Sequence, residues 1–279
     1  AGQSGYVLLL RDITREKSLE EERDDAIVGV ALKWSLAVFA AIGVIGGGAY
    51  FVLSRKPHVE VAKTRVVEPP KVREVPKVGG TKDVNVAKLI ATEPTHVIVN
   101  IDENRKDTVD HLRRVIPNVI VTHPLLPEDN ATLFALLGHI FSVEDAALAL
   151  ARQLADALTQ ARAVGASRVS ESVLYLIWKN PWMTVSRDTY VSAMLATVGW
   201  KTLPMQADKR YPEIAADDSV WRNADRVFLS TEPYLFDDGH IATLRDDLHL
   251  QQPIELIDGE MTSWYGVRAI AGLKYLADL

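Results

Sequence analysis

The second half of the chain alternates short apolar runs with amphipathic segments. Residues 173–178, rich in β-branched and aromatic side chains, predict a buried strand that ends before Pro181. The same reasoning predicts strands at residues 226–230 and 253–257. It predicts helices at residues 189–198, 241–248 and 267–276. Because strands and helices alternate, the predicted fold class is α/β with a parallel sheet and right-handed crossovers.

The first half repeats this alternation more weakly. It contains predicted strands at residues 96–100 and 118–122 and predicted helices at residues 86–92 and 106–115. Ahead of them, residues 6–10 predict a strand that leads into a charged helix. This pair resembles the last strand and exit helix of a PAS sensor module through Arg11-Asp-Ile-Thr14, and residues 1–30 are predicted to form a charged amino-terminal stub.

A long amphipathic helix is predicted between the two halves, at residues 142–166. Ser142 is a suitable N-cap, and Gly165 suits a left-handed exit. Apolar residues recur along it at helical spacing: Val143, Ala147, Leu150, Leu154, Ala157, Ala161 and Val164. At about 33 Å the helix is longer than one small lobe requires, so we expect it to join two lobes.

Residues 34–53 carry no charge and as a helix would span about 30 Å, the thickness of a bilayer core. Trp34 and Tyr50 lie near the ends of this run, and Arg55 and Lys56 follow it, as in membrane-spanning helices. The sequence therefore predicts one transmembrane helix within residues 31–54, with a buried core helix as the alternative. Lysines and arginines occur on both sides of the run, so charge does not decide its orientation.

Aromatic and charged residues concentrate in the loops that follow the predicted strands of the second half. The carboxyl ends of parallel strands meet at one sheet edge, where α/β proteins place ligands. We therefore predict a binding face for a large, flat and apolar ligand, with Arg187 or Arg268 available for its carboxylates or carbonyls. The candidate ligand-binding residues are Trp178, Trp182, Met183, Arg187, Glu232, Tyr234, Glu260, Trp264 and Tyr265.

Several of these candidates also have a purely structural interpretation. Trp178 ends a strand and could pack in the core, whereas Arg268, on a helix, could form a surface salt bridge. Glu232 and Glu260 could cap helices or brace loops. Truncation separates the two interpretations, because a buried ring supports stability and a ligand-facing ring supports binding.

Composition and charge narrow the function classes. A net charge of −6 over 279 residues gives no reason to expect nucleic acid, and the lack of cysteine excludes disulfides, thiolate metal sites and a cysteine nucleophile. Nucleophile elbows, glycine-rich phosphate loops and metal-ligand spacings are also missing from the sequence. The chain is therefore predicted not to be an enzyme. The rival interpretation would use Tyr234, His240, Asp258 and Glu260 as acid–base groups.

Five short motifs together resemble one family, the helical-backbone (class III) periplasmic substrate-binding proteins of ABC importers. The motifs are Pro76-Lys-Val-Gly-Gly-Thr-Lys82, Tyr175-Leu-Ile-Trp178 with Pro181-Trp-Met-Thr184, Tyr211-Pro-Glu213, Ser230-Thr-Glu-Pro-Tyr234, and Leu256-Ile-Asp-Gly-Glu-Met261 with Ser263-Trp-Tyr-Gly266. The resemblance covers residues 59–279 and is closest to the cobalamin-binding branch, whose relatives take ferric siderophores or haem.

The resemblance implies two Rossmann-like lobes with parallel sheets, joined by the long helix. The amino-terminal lobe would occupy residues 55–141, the backbone helix 142–166 and the carboxyl-terminal lobe 167–279. The family's first strand and helix should precede Val59, where this chain has the membrane-like run, so an incomplete amino-terminal lobe is predicted.

For function, the resemblance implies that a cobalamin-like (corrinoid) ligand, with no intrinsic cofactor, is bound in the inter-lobe cleft and delivered to an ABC importer permease. Haem and ferric siderophores are the alternative ligands, and a membrane-tethered ligand sensor is the alternative function. With the predicted helix as tether, the binding domain would be extracytoplasmic. Importer docking in the family uses one acidic residue on each lobe. Asp217 matches the carboxyl-lobe position, and Ala87 occupies the amino-lobe position.

Overall fold

The computed structural model describes residues 4–9, 50–55 and 76–279. Contacts between Cα atoms divide the chain into two compact units. The first comprises the chain up to His123 together with Leu133–Leu148, and the second comprises Pro124–Thr132 together with Ala149–Leu279. Each unit contains its own sheet and is described separately.

The first unit contains a four-stranded sheet in the order β2-β1-β3-β4. Its strands are β1 (Ser4–Leu9), β2 (Tyr50–Arg55), β3 (His96–Asn100) and β4 (Asn118–Thr122), and its short helices are α1 (Val86–Ile90) and α2 (Lys106–Val115). Strand β1 is antiparallel to β2 and parallel to β3, and β3 is parallel to β4. The strands and the helix predicted at 96–100, 118–122 and 106–115 are confirmed with the predicted bounds.

The amino-terminal strand β1 pairs within this sheet. Tyr6 and Val7 of β1 are in register with His96 and Val97 of β3. The sheet thus includes two strands that precede Val59 in the sequence, and the predicted division into a stub and lobes stays a prediction. The charged helix predicted after residue 10 lies outside the described residues.

The predicted transmembrane helix is wrong at its carboxyl end. Tyr50–Arg55 is strand β2, hydrogen-bonded to β1 along its whole length. Tyr, Phe and Val favour strands, and the three glycines at 46–48 interrupt the run before them. Residues 31–49 lie outside the described part, and within that part no helix is long and apolar enough to cross a membrane.

Two long helices carry residues of both units. They are α3 (Asp129–Phe141) and α4 (Glu144–Ser167). Helix α4 is the helix predicted at 142–166, and Ala147, Leu150, Leu154, Ala157 and Ala161 of its predicted stripe are buried. Helix α3 was not predicted, because apolar residues occur around most of its circumference and give no helical period.

The second unit contains a five-stranded sheet whose order is β6-β5-β8-β9, with β7 paired to β5 beside β6. Its strands are β5 (Glu171–Trp178), β6 (Met183–Thr184), β7 (Trp200–Leu203), β8 (Arg226–Ser230) and β9 (Ile254–Ile257). Its helices are α5 (Tyr190–Ala196), α6 (Val220–Asn223), α7 (Asp238–Leu248), α8 (Gly259–Ser263) and α9 (Arg268–Asp278). Strands β7, β8 and β9 run parallel to their neighbours, and only the two-residue β6 is antiparallel.

The core of this unit lies on both faces of the central strands. Consecutive positions of β5 and β8 illustrate it: Leu174, Tyr175 and Leu176 are completely buried, and Val227, Phe228 and Leu229 are at most 2% exposed. Such a continuous apolar run, without alternation, is typical of parallel strands covered by helices on both faces. At the amino-terminal end of the strands, Arg226 binds Glu171 (Nε to Oε2, 3.0 Å) and Glu255 (Nη1 to Oε1, 2.7 Å). The hydrogen bond from Arg226 holds the pKa of the Glu171 carboxyl below its ordinary value.

The sequence predicts a left-handed helix exit at Gly165, and this prediction is wrong. Gly165 lies inside α4. A Cβ atom at this position would fall 2.9 Å from the Cα atom of Val198 and closer still to the carbonyl oxygen of Thr197. Both are backbone atoms at the end of α5, so they cannot move aside as a flexible side chain could. Gly165 is therefore required for the close approach of α4 to the segment between α5 and β7.

Replacing Gly165 with alanine should lower the free energy of unfolding by about 1–3 kcal/mol, because the added methyl group overpacks this contact. In an uncrowded helix the same change would stabilise by up to about 1 kcal/mol, so the sign of the effect is informative. Urea unfolding of the full chain measures it. Gly80→Ala is the control, since a Cβ there meets nothing within 4 Å. A Gly165→Ala protein as stable as the parent would contradict the proposed crowding.

Candidate functional site

The carboxyl ends of β5, β8 and β9 lie at the same edge of the second sheet. Parallel pairing aligns Leu176 of β5 with Leu229 of β8, and Ser230 of β8 with Ile257 of β9. The segments that follow these strands therefore start side by side, as the sequence predicted. Nearly all of the predicted ligand-binding residues lie at the ends of these strands or in these segments.

Four aromatic residues form a continuous group at this edge, which we call the aromatic wall: Trp178, Trp182, Tyr234 and Phe236. The ring of Trp178 meets Tyr234 edge-on at a centroid distance of 5.4 Å, and Tyr234 lies 4.6 Å from Phe236. Trp182 is stacked on Phe236 at 6.2 Å with an interplanar angle of 7°. The aromatic wall is anchored in the core through Trp182, whose ring contacts the buried Trp221 at 5.8 Å.

The outer end of the aromatic wall is exposed. Trp178 has 41% of its surface exposed, and Leu235, between Tyr234 and Phe236, has 70% exposed. Large apolar groups in contact with water at a loop edge are available for a ligand. Trp178, Trp182 and Tyr234 thus lie together, as the sequence predicted.

A row of hydrogen bonds begins at the hydroxyl group of Tyr234. Its hydroxyl oxygen lies 3.1 Å from Nε2 of His240, and Nδ1 of His240 lies 2.6 Å from Oδ1 of Asp237. Asp237 is also the N-cap of α7 and accepts the backbone N–H of His240 at 3.2 Å. Tyr234 and His240, two acid–base candidates of the rival interpretation, therefore lie within hydrogen-bond reach of each other, with His240 also bound to the helix start at Asp237.

A second group joins the loops after β8 and β9. The indole N–H of Trp264 donates to Oε2 of Glu232 at 2.9 Å. The guanidinium of Arg268 lies over the Trp264 ring, 5.6 Å from its centroid, and pairs with Glu260 at 3.2 Å. Both glutamates and Arg268 are thus engaged within the protein, in agreement with their structural interpretation.

Trp264 and Tyr265 are buried, with 6% and 5% of their surfaces exposed. The segment 258–266, predicted from the sequence as a loop after a strand, contains the short helix α8. Asp258 caps this helix by accepting the backbone N–H groups of Glu260 (2.9 Å) and Met261 (3.2 Å). An Asp directly before a short turn is an N-cap signal that the sequence offered. Both rings are therefore enclosed within this unit, and their role as ligand contacts stays a prediction.

A buried group of three hydroxyls lies beneath both loops. The hydroxyl of Tyr175, on β5, lies 2.8 Å from Oγ of Ser230 and 2.6 Å from Oγ1 of Thr262. Ser230 in turn donates to the carbonyl of Glu232 at 2.6 Å, and Thr262 donates to the carbonyl of Asp258 at 2.9 Å. Complete burial raises the pKa of the Tyr175 hydroxyl to about 12, so it remains a neutral hydrogen-bond donor.

The other two predicted ligand contacts lie on the β6 and β7 side of the sheet. Met183 is partly buried in β6, opposite Trp178. Arg187 is exposed, donates from Nε to the carbonyl of Thr202 at 3.2 Å, and lines a shallow surface depression with Met205. Arg187 is therefore placed beside β7, and its role in binding stays a prediction.

Asp217 is exposed in the segment that precedes α6, and Ala87 is exposed on α1. The neighbouring Asp218 has a different role, because its Oδ1 accepts the backbone N–H of Val220 at 2.9 Å and so braces the start of α6. The predicted docking role of Asp217 is compatible with its exposure and stays a prediction.

Sequence reasoning missed two members of the site. Leu235 and Phe236, which directly follow Tyr234, are not among the residues predicted from the sequence. The signal for Phe236 is an aromatic residue two positions after Tyr234. His240 was considered only as an acid–base group. Its spacing of three from Asp237 matches that of a helix-capping pair, and this signal could have linked it to Tyr234.

Comparison with known families gives one match over most of the chain. The model of the family described as "Periplasmic binding protein" matches residues 58–251. A search of curated protein sequences finds no significant match.

Solved structures with the same fold include two proteins from Vibrio cholerae and one from Roseiflexus sp. RS-1. The periplasmic vitamin B12 binding protein BtuF of V. cholerae has a TM-score of 0.65 at 15% identity, covering 76% of this chain and 83% of that chain. The periplasmic haem-binding protein HutB of V. cholerae has a TM-score of 0.62 at 17% identity, with 90% and 95% covered. The periplasmic haem-binding protein RhuT of Roseiflexus has a TM-score of 0.61 at 18% identity, with 75% and 84% covered. The predicted α/β fold is confirmed by these similarities.

The buried Trp264 and the exposed Trp178 are predicted to contribute very differently to the free energy of unfolding. Trp264→Ala should lower the free energy of unfolding by about 3–5 kcal/mol, because it leaves a cavity and removes the hydrogen bond from the indole to Glu232. Trp178→Ala, in a ring that is 41% exposed, should cost about 1 kcal/mol or less. Urea unfolding of the full chain measures both. Equal losses for the two variants would show that burial does not separate their roles.

Proposed function

The chain belongs to the periplasmic binding protein family, and from this premise we propose that it binds a cobalamin-like corrinoid and delivers it to the permease of an ABC importer. Membership of this family implies an extracytoplasmic location. The observation that supports the ligand class is the aromatic wall at the carboxyl edge of the second sheet. Its exposed end at Trp178 and Leu235 offers an apolar surface to a large planar ring.

The energetics of the aromatic wall agree with such a ligand. A macrocycle that covers the exposed part of Trp178 and Leu235 removes apolar surface from water, at roughly 25 cal/mol per Å². The rings of Trp178 and Tyr234 lie at 76° to each other, so this T-shaped contact covers at most one face of the indole. Because Trp182 and Phe236 are already stacked behind them, little side-chain freedom is lost when the ligand binds.

Haem is the second candidate ligand, since the same flat apolar surface suits a porphyrin, and both HutB and RhuT are haem-binding proteins. Ferric siderophores are the third. A corrinoid differs from haem in its rim of amide side chains, which offer N–H donors in place of two carboxylates. The polar groups beside the aromatic wall therefore bear on the choice between them.

Titration of the protein with cyanocobalamin, haemin and a ferric siderophore tests the ligand class. We expect cyanocobalamin to bind most tightly, and Trp178→Ala to weaken its binding by about 1–3 kcal/mol through lost burial and stacking. The matched control is Val169→Ala, because Val169 is 89% exposed and precedes β5 at its opposite end. Tighter binding of haemin than of cyanocobalamin would show that haem, and not a corrinoid, is the ligand. A Trp178→Ala protein with unchanged affinity for every ligand would remove the aromatic wall as the site.

Delivery to an importer gives a separate prediction for Asp217. A lysine at this exposed position should leave ligand affinity unchanged, because the side chain lies outside the aromatic wall, and should reduce ligand uptake by cells that depend on this protein. Asp246→Lys, the same charge change at an exposed position of α7, is the control. Equal uptake by the two variants would remove the docking role of Asp217.

A further inference from the structure

The row formed by Tyr234, His240 and Asp237 fixes which way the Tyr234 hydroxyl can form hydrogen bonds. Nδ1 of His240 has two possible partners: the carboxylate Oδ1 of Asp237 at 2.6 Å and the backbone nitrogen of Asp237 at 3.2 Å. A neutral ring nitrogen can donate to the carboxylate or accept from the backbone N–H, but it cannot do both. The direction of this one bond decides the tautomer of His240.

The carboxylate is the stronger partner. Charge-assisted hydrogen bonds are shorter and stronger than neutral ones. The contact of Nδ1 with the Asp237 carboxylate is shorter than its contact with the Asp237 backbone nitrogen. The bond to His240 holds the pKa of the Asp237 carboxyl below its ordinary value, so this group is ionised at neutral pH and has no proton to give. In the neutral imidazole, Nδ1 therefore carries the proton, and Nε2 presents a lone pair.

This tautomer sets the polarity of Tyr234. With Nε2 as an acceptor at 3.1 Å, the Tyr234 hydroxyl donates its only proton to His240. The hydroxyl oxygen then keeps its lone pairs for other partners and offers a ligand an acceptor only. The Tyr234 ring that carries this oxygen is only partly buried and packs against the exposed Trp178, with 5.4 Å between the two ring centroids.

We propose that Asp237 and His240 act as positioning residues that make Tyr234 an obligate hydrogen-bond acceptor, so that the aromatic wall selects macrocycles whose rim carries N–H donors. The corrin rim, with its primary amides, meets this requirement. A rim of esters or ionised carboxylates does not, because it brings oxygen acceptors against an oxygen acceptor. The inference rests on the proposed function and goes beyond it by assigning the origin of selectivity to one hydroxyl group.

Two ligands that share the cobalt and the corrin ring isolate this effect. Dicyanocobinamide carries amide side chains, and dicyanocobyrinic acid heptamethyl ester carries methyl esters in their place. The wild-type full chain should bind the amide ligand more tightly than the ester, by roughly threefold to tenfold, which is the value of one neutral hydrogen bond. The readout is the ratio of the two dissociation constants, so a general loss of affinity cancels.

Two variants then separate positioning from helix capping. Tyr234→Phe removes the hydroxyl and should bring the amide-to-ester preference close to one. His240→Gln retains a good capping residue at the third position of α7, because a glutamine there accepts the backbone N–H of Asp237. Its amide group would then present a donor to Tyr234 and turn the phenol proton outward. We expect His240→Gln to keep the unfolding midpoint of the parent and to lose the preference for the amide ligand.

Asp246→Asn, on the exposed face of the same helix, is the control and should keep the wild-type ratio. A wild-type protein that binds both corrinoids equally would overturn the inference while leaving corrinoid binding intact. A His240→Gln protein that keeps the full preference would also overturn it, because the histidine would then serve only the helix start. If neither corrinoid binds at all, the proposed function itself is wrong.

Discussion

The loops of the candidate site depend on one buried interaction, the contact of the Tyr175 hydroxyl with Ser230 and Thr262 at 2.8 and 2.6 Å. Three polar groups that are completely enclosed must satisfy one another, because an unpaired hydroxyl in such a place costs about 1–3 kcal/mol. This requirement ties β5, the end of β8 and the short helix α8 to a single arrangement. The loop after β8 and the helix after β9 can then form only one way.

Tight packing around this hydroxyl group extends the same constraint. A Cβ atom on Gly259 would come within 2.7 Å of Oγ of Ser230 and 2.6 Å of the backbone nitrogen of Glu232. Only glycine therefore allows α8 to begin against the loop that carries Glu232. The Trp264 to Glu232 hydrogen bond follows from that approach, since the two residues flank the contact. Buried polar groups of this kind limit the loops more strictly than apolar packing would, because hydrogen bonds are directional.

The sequence predicted the strands of the second sheet well and the burial of its loop residues poorly. Residues 226–230 and the residues that end β5 and β9 carry the β-branched and aromatic pattern of covered parallel strands, which is a local signal. Burial of Trp264 is different, because it depends on a helix of five residues whose apolar pattern is too short to register. The short β7, from Trp200 to Leu203, was missed for the same reason. At the amino terminus, Tyr50–Arg55 could be assigned only by its partner strand, which lies about forty residues earlier in the chain.

Hydrogen bonding of the indole N–H separates the structural tryptophans of the second unit from those that can serve a ligand. Trp200 donates to Glu171 at 3.0 Å, Trp221 donates to the carbonyl of Ala215 at 2.8 Å, and Trp264 donates to Glu232 at 2.9 Å. All three rings are buried, and a buried indole needs such a partner because its lone donor cannot reach water. Trp178 is the exposed tryptophan of this unit and depends on no such bond for its position, since its edge contact with Tyr234 holds it. The aromatic wall therefore combines an anchored inner part with an outer ring that remains available, and this combination suits a binding face for a flat ligand.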